Sequence, residues 1–133
     1  MNLTIEQKRL DFINSELGYF IEDPSRRSVD KKGDCYYRHP DDGRPCLIGK
    51  QISDEDYDLG MENDAVGCVD KYVWNKLSKD IQNLGGDFLS SLQRFHDSYR
   101  NWTSTGLSEE GEYTLNGIKE KYCGIPRDNI HSA

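Results

Sequence analysis

The chain has 133 residues, of which 35% are apolar and 31% charged, and carries a net charge of −7. That length supports a hydrophobic core without metal or disulfide staples, and 11% aromatic residues argue against disorder. No run approaches the ~18 apolar residues of a membrane span, and the first residues lack the apolar stretch of a secretion signal. A soluble, cytoplasmic protein with no membrane partner is expected. Its four widely spread cysteines then remain reduced and mostly buried.

Thr4-Ile-Glu-Gln7 has the form of a capping box, and Leu10, Ile13 and Leu17 follow at helical spacing. Gly18 is expected to end this helix, and Asp23-Pro24-Ser25 to turn the chain. Cys35-Tyr-Tyr-Arg38 and Cys46-Leu-Ile48 favour strands on either side of the turn Pro40-Asp-Asp-Gly43. In that register Tyr37 opposes Cys46 and Cys35 opposes Ile48. All four then face inward, with Tyr36, Arg38 and Leu47 outward.

Ser53 is placed to cap a short acidic helix, and Val69, Val73 and Leu77 predict a helix over residues 69–79. After Gly85-Gly86, the stripe Phe88, Leu92, Phe95, Tyr99 and Trp102 predicts the central helix. Ser108 then caps a last helix of about 109–122, which Gly124 ends. The expected fold is α+β. It is a single compact domain over 1–126, with a short antiparallel β-hairpin at about 34–49 on three to five α-helices. Residues 127–133 are expected to form a flexible tail.

Charge is sharply segregated. Residues 1–25 carry −3, residues 26–50 carry +3, residues 51–70 carry −7, and the rest balances to zero. This pattern argues against binding duplex nucleic acid through a bulk positive field. It leaves two candidate surfaces. Arg26, Arg27, Arg38, Arg44 and Lys50, with Tyr36 to stack on a base, could hold a nucleotide second messenger. Asp54, Glu55, Asp56, Asp58 and Glu62 could dock on a basic protein. The competing expectation is that the acidic run folds back and pairs with the basic one.

Catalytic and metal chemistry find less support, and no cofactor is expected. Cys35, His39, Cys46 and Cys68 lack the usual knuckle spacing for zinc. Asp54-x-Asp56-x-Asp58 begins like a calcium loop, but Leu59 and Ala65 occupy its two diagnostic positions. His96 and Asp97 are not expected to pair, because adjacent helical residues point about 100° apart. A small metal-dependent or hydrolytic enzyme, using carboxylates of 54–64 with His96, is the alternative. Homo-oligomerisation is left open.

The pattern Cys35-x-Tyr37, Gly43-x-x-Cys46-x-Ile48-Gly49-x-x-Ile52-x-Asp54-x-x-Tyr57-Asp58 and Met61-Glu62 resembles a group of small bacterial and phage accessory proteins. Leu92-Gln93-x-x-His96-Asp97 is similar to a later helix of that group. The likeness covers about residues 33–100 and carries no catalytic residues over. It implies a compact α+β accessory protein encoded by a phage or mobile element. Such a protein would act by non-catalytic binding of a host protein or a signalling nucleotide, as in inhibition of host defence.

Overall fold

In the computed structural model, which describes residues 3–63 and 71–126, the chain enters its first helix through the Thr4 capping box. The Gln7 N–H donates to Thr4 Oγ1 at 3.1 Å, and the Thr4 N–H donates to Gln7 Oε1 at 3.2 Å. Helix α1 (Ile5–Phe12) continues through a π-helical turn, Ile13–Leu17, into α2 (Gly18–Glu22). Gly18 does not stop the helix, for its φ of −55° is ordinary right-handed backbone. The run ends at Asp23, whose carboxylate accepts the Ser25 N–H at 3.1 Å and opens a 3-10 turn over Pro24–Arg26.

Helix formation is equally local further on. The described part of the segment expected over 69–79 is a single turn, α3 (Lys71–Trp74), followed by α4 (Lys79–Gln82), which Ser78 caps. Ser53 caps a turn, its hydroxyl accepting the Asp56 N–H at 3.3 Å, and no α-helix follows; the chain enters a 3-10 turn at Leu59–Asn63 instead. Gly85, at φ +102°, admits the chain to α5 (Gly86–Asp97). The last helix, α6 (Glu109–Cys123), starts at Ser108 and ends at Gly124 in left-handed backbone, φ +66°. The tail over 127–133 lies outside the described residues.

The central helix is shorter than its apolar stripe. It stops at Asp97, leaving Tyr99 75% exposed and Trp102 in extended backbone. Side chains capture its last carbonyls: Asn101 Nδ2 donates to Phe95 O at 2.9 Å, and both Arg27 Nε and Trp102 Nε1 donate to His96 O at 3.0 Å. These carbonyls are the orphans of a helix C-terminus, where a cation such as Arg27 is also favoured by the helix dipole. Helix α6 packs on both α1 and α5. Arg9 joins all three regions, donating to Leu84 O and Tyr122 O while lying over the Phe88 and Tyr122 rings.

Among the described residues there is no β-strand, only three isolated bridges, Val29–Cys35, Arg38–Pro45 and Trp102–Leu107. The fold is helical, and the α+β assignment with a hairpin at 34–49 is corrected. The Cys46 N–H does reach Tyr37 O at 3.0 Å, but pairing stops there for three reasons. Pro45 has no N–H to give. The Glu62 carboxylate takes the Tyr37 and Arg38 N–H groups at 2.9 and 3.0 Å. Beyond Ile48 the chain winds into a 3-10 turn, Gly49–Gln51, so Cys35 meets Val29 instead of Ile48. Alternation fails too, because Cys46, Leu47 and Ile48 are all fully buried.

These irregular segments supply Tyr37, Leu47, Ile48, Ile52 and Met61 to the same core as Phe12, Phe20, Phe88 and Leu92. Burying each such side chain is worth roughly 1.5–3 kcal/mol. Gln93, fully buried on α5, fixes the loop layer by accepting the Ile48 N–H and donating to Asp97, both at 2.9 Å. Gln93→Leu keeps the volume, strands the Ile48 N–H and leaves Asp97 with His96 alone, so urea unfolding should show a loss of about 2 kcal/mol.

Candidate functional site

The residues expected to hold a nucleotide are consumed by the fold. Arg26 lies 4.4 Å over the Tyr19 ring and within 4.0 Å of Glu22 and Asp23. Arg27 is stacked on Trp102 and caps α5. Arg38 lies 4.4 Å over Tyr57 and pairs with Asp54 at 2.8 Å, while Arg44 donates to Arg27 O and Val29 O and pairs with Asp42. Lys50 pairs with Glu16 at 3.4 Å over the Tyr19 ring. The Tyr36 hydroxyl donates to Asp30 at 3.0 Å.

The acidic run is used unevenly. Asp54 holds Arg38, and Asp58 holds Lys76 at 3.1 Å and accepts the Tyr72 hydroxyl. Asp56 accepts the Ser53 hydroxyl at 2.9 Å, and Glu55 is exposed. Glu62 is not a free surface charge: it receives two backbone N–H groups and, at 2.7 Å, the Tyr57 hydroxyl. Burial and this carboxylate push the Tyr57 phenol up to about 12. Among the described residues Arg38 is the one member of the basic cluster paired with the run, so the two charged segments meet at one point rather than cancelling along their length.

Two clefts open on either side of the Tyr36 and His39 rings, whose centroids are 5.6 Å apart. One, of about 590 Å³, is polar and includes Lys31, Lys32, Asp30, Asp34 and Arg44. The other, of about 410 Å³, is walled by Pro40, Tyr57 and Leu59, with Arg38 and Glu62 beside them. Leu59 is 78% exposed, the most open of the large apolar side chains among the described residues. Sequence periodicity gave no hint of this cleft, since its walls come from three separate turns.

A second cluster lies inside. His96 is fully buried, yet its Nδ1 stands 2.9 Å from Asp97 Oδ1. The expectation that these neighbours cannot pair is corrected: Asp97 is the last residue of α5, and its side chain is free to fold back. Cys35 reaches the Asp97 carbonyl at 3.7 Å, so cysteine, histidine and carboxylate are close together. The chemistry is nevertheless that of a core. Burial pushes the Cys35 thiol up to about 12, with Asp97 adding to the effect. His96 packs on Phe20 and Trp102, and among the described residues it makes no hydrogen bond or ion pair with the acidic run that the enzymatic alternative needs. Arg27 Nη2, Ser28 Oγ, His96 Nε2 and Asp97 Oδ2 have no partner among the described residues, so the network is only partly satisfied.

Metal ligation finds no geometry either. Among the described residues no three His, Cys, Asp or Glu side chains are grouped to hold an ion, and Cys68 lies outside them. Cys35, Cys46 and Cys123 are free thiols, and Cys46 accepts the Gly49 N–H at 3.2 Å. No helix of the described residues is long and apolar enough to cross a membrane.

Two measurements check this description. Burial lowers the His96 pKa, against the pull of Asp97. The unfolded chain therefore takes up a proton as pH falls through about 6.5 while the folded chain does not. Stability should be full above that pH and fall by up to about 1.4 kcal/mol per unit below it, until the folded imidazole also protonates. Urea titrations should show this slope in the wild type and lose it in His96→Gln. Separately, a thiol raised from 9.0 to about 12 carries roughly a thousandfold less thiolate, so iodoacetamide at pH 7.5 should leave Cys35 unlabelled in peptide mapping.

The chain matches no protein-family model, no curated protein and no solved structure.

Proposed function

We propose that the protein is a non-catalytic binding protein that docks the acidic segment Asp54–Glu62 on a basic surface of a partner protein. The observation that carries this reading is the residual charge. Arg26, Arg38, Arg44 and Lys50 each have a carboxylate within ion-pair distance. The segment's five carboxylates are met by only two cations among the described residues, Arg38 and Lys76. The excess is negative, and it lies beside an apolar cleft whose wall includes the exposed Leu59. Charge brings a basic surface close and sets its register, while burial of an apolar anchor supplies affinity.

Preorganisation supports the same reading. Arg38 and Tyr57 are stacked and tied at both ends, by Asp54 and by Glu62, so little side-chain entropy remains to be lost on docking. A nucleotide held by Arg26, Arg27, Arg38 and Arg44 has less support, because those guanidiniums already hold carboxylates, carbonyls or rings. The likeness to bacterial and phage accessory proteins makes a host component, including a defence factor, the expected target, and the cytoplasm the expected compartment.

Affinity capture from a bacterial lysate at low salt tests this, with wild-type protein and a Glu55→Lys, Asp56→Lys, Leu59→Ser variant as baits. A basic protein should be retained by the wild type, released by about 0.3 M salt, and absent from the variant. Retention that ignores salt, or that the variant matches, would contradict the docking face.

A further inference from the structure

We propose that the cleft between α5, the Tyr99–Asn101 turn and α6 is an anion site for a phosphate-bearing small molecule. It is independent of the docking face and shares no residue with it. The cleft has a volume of about 390 Å³, within the range of small-ligand pockets and enough for a phosphate ester or a mononucleotide. Arg94, Arg100, Ser91, Ser98 and Thr114 line it.

Guanidinium availability separates this cleft from the 26–50 region. Arg94 forms no salt bridge among the described residues, and Arg100 lies 5.9 Å over the exposed Tyr99 ring with no carboxylate at ion-pair distance, whereas Arg26, Arg38 and Arg44 are each paired with an acid. Two planar forks facing one cleft are the side chains best suited to phosphate oxygens. Hydroxyls complete the donor set. Ser98 and Thr114 show no side-chain hydrogen bond among the described residues, and Ser91 shares a 3.3 Å contact with the Tyr122 hydroxyl.

The backbone also leaves the site compatible with an anion. Carbonyls at the end of α5 would repel one, but Phe95 O and His96 O are already occupied by Asn101, Arg27 and Trp102. The start of α6 lies on the opposite side, where Gly111 packs so tightly that a Cβ there would clash with Asn101 O. That contact fixes the two walls relative to one another. Glu110 is the one carboxylate in the lining, and it leaves the cleft with a single excess positive charge.

Thermal shift and calorimetry on the full chain test the proposal, with inorganic phosphate, ribose 5-phosphate, AMP and adenosine as probes. The phosphate-bearing probes should bind and raise the midpoint, and adenosine should not. Affinity should fall at least tenfold in Arg94→Gln and in Arg100→Gln, and stay unchanged in Arg26→Gln. Both substituted residues are exposed, so the variants should melt as the wild type does without ligand. Binding by inorganic phosphate alone would identify a free-anion site, and tighter binding of AMP or ribose 5-phosphate a phosphorylated metabolite. Failure of all three phosphate probes, equal binding of adenosine, or indifference to both arginine substitutions would overturn it.

Discussion

The fold depends on side-chain groups that take the place of a sheet. Gln93 uses both ends of its carboxamide, one on the Ile48 N–H and one on Asp97, and so fastens the loop layer to the central helix. Glu62 does the same for the Tyr37 and Arg38 N–H groups. A buried backbone N–H must find an acceptor. Here the acceptors come from residues far away in sequence, which is why a segment without regular structure can carry Tyr37, Leu47 and Ile48 into the core.

The same ties determine what reaches the surface. Glu62 draws the acidic run against the Arg38–Pro45 bridge and positions Tyr57, on which Arg38 then stacks. This leaves Leu59 at the lip of an apolar cleft, with Glu55 and Asp56 beyond it. In the basic segment the opposite happens: its arginines cap a helix, brace carbonyls and pair with acids. Two segments of opposite charge thus end differently, the arginines of one tied into the fold and the carboxylates of the other left in excess at the surface.

Local signals were readable in the sequence where the physics is local. The Thr4 capping box, the Ser108 cap and the Gly124 stop rest on contacts within a few residues. The hairpin was misread because Cys35–Arg38 and Cys46–Ile48 have strand composition, yet Glu62, 24 residues beyond Arg38, claims the donors a ladder would need. Tyr99 and Trp102 continue the α5 period, but Arg27, some 70 residues earlier, helps to close the helix at His96. The His96–Asp97 pair was missed by treating Asp97 as mid-helix rather than terminal. For the candidate sites, the type of each residue was plain, but its partners were not. Arg38 near Asp54 is a short-range guess, whereas the walls of both proposed clefts are assembled by packing.

Amide hydrogen exchange tests the central claim most directly. If Glu62 and Gln93 do the work of a neighbouring strand, the N–H groups of Tyr37, Arg38 and Ile48 should exchange as slowly as those in the middle of α5. Exchange of these three at the rate of the exposed Glu55 and Asp56 amides would contradict it.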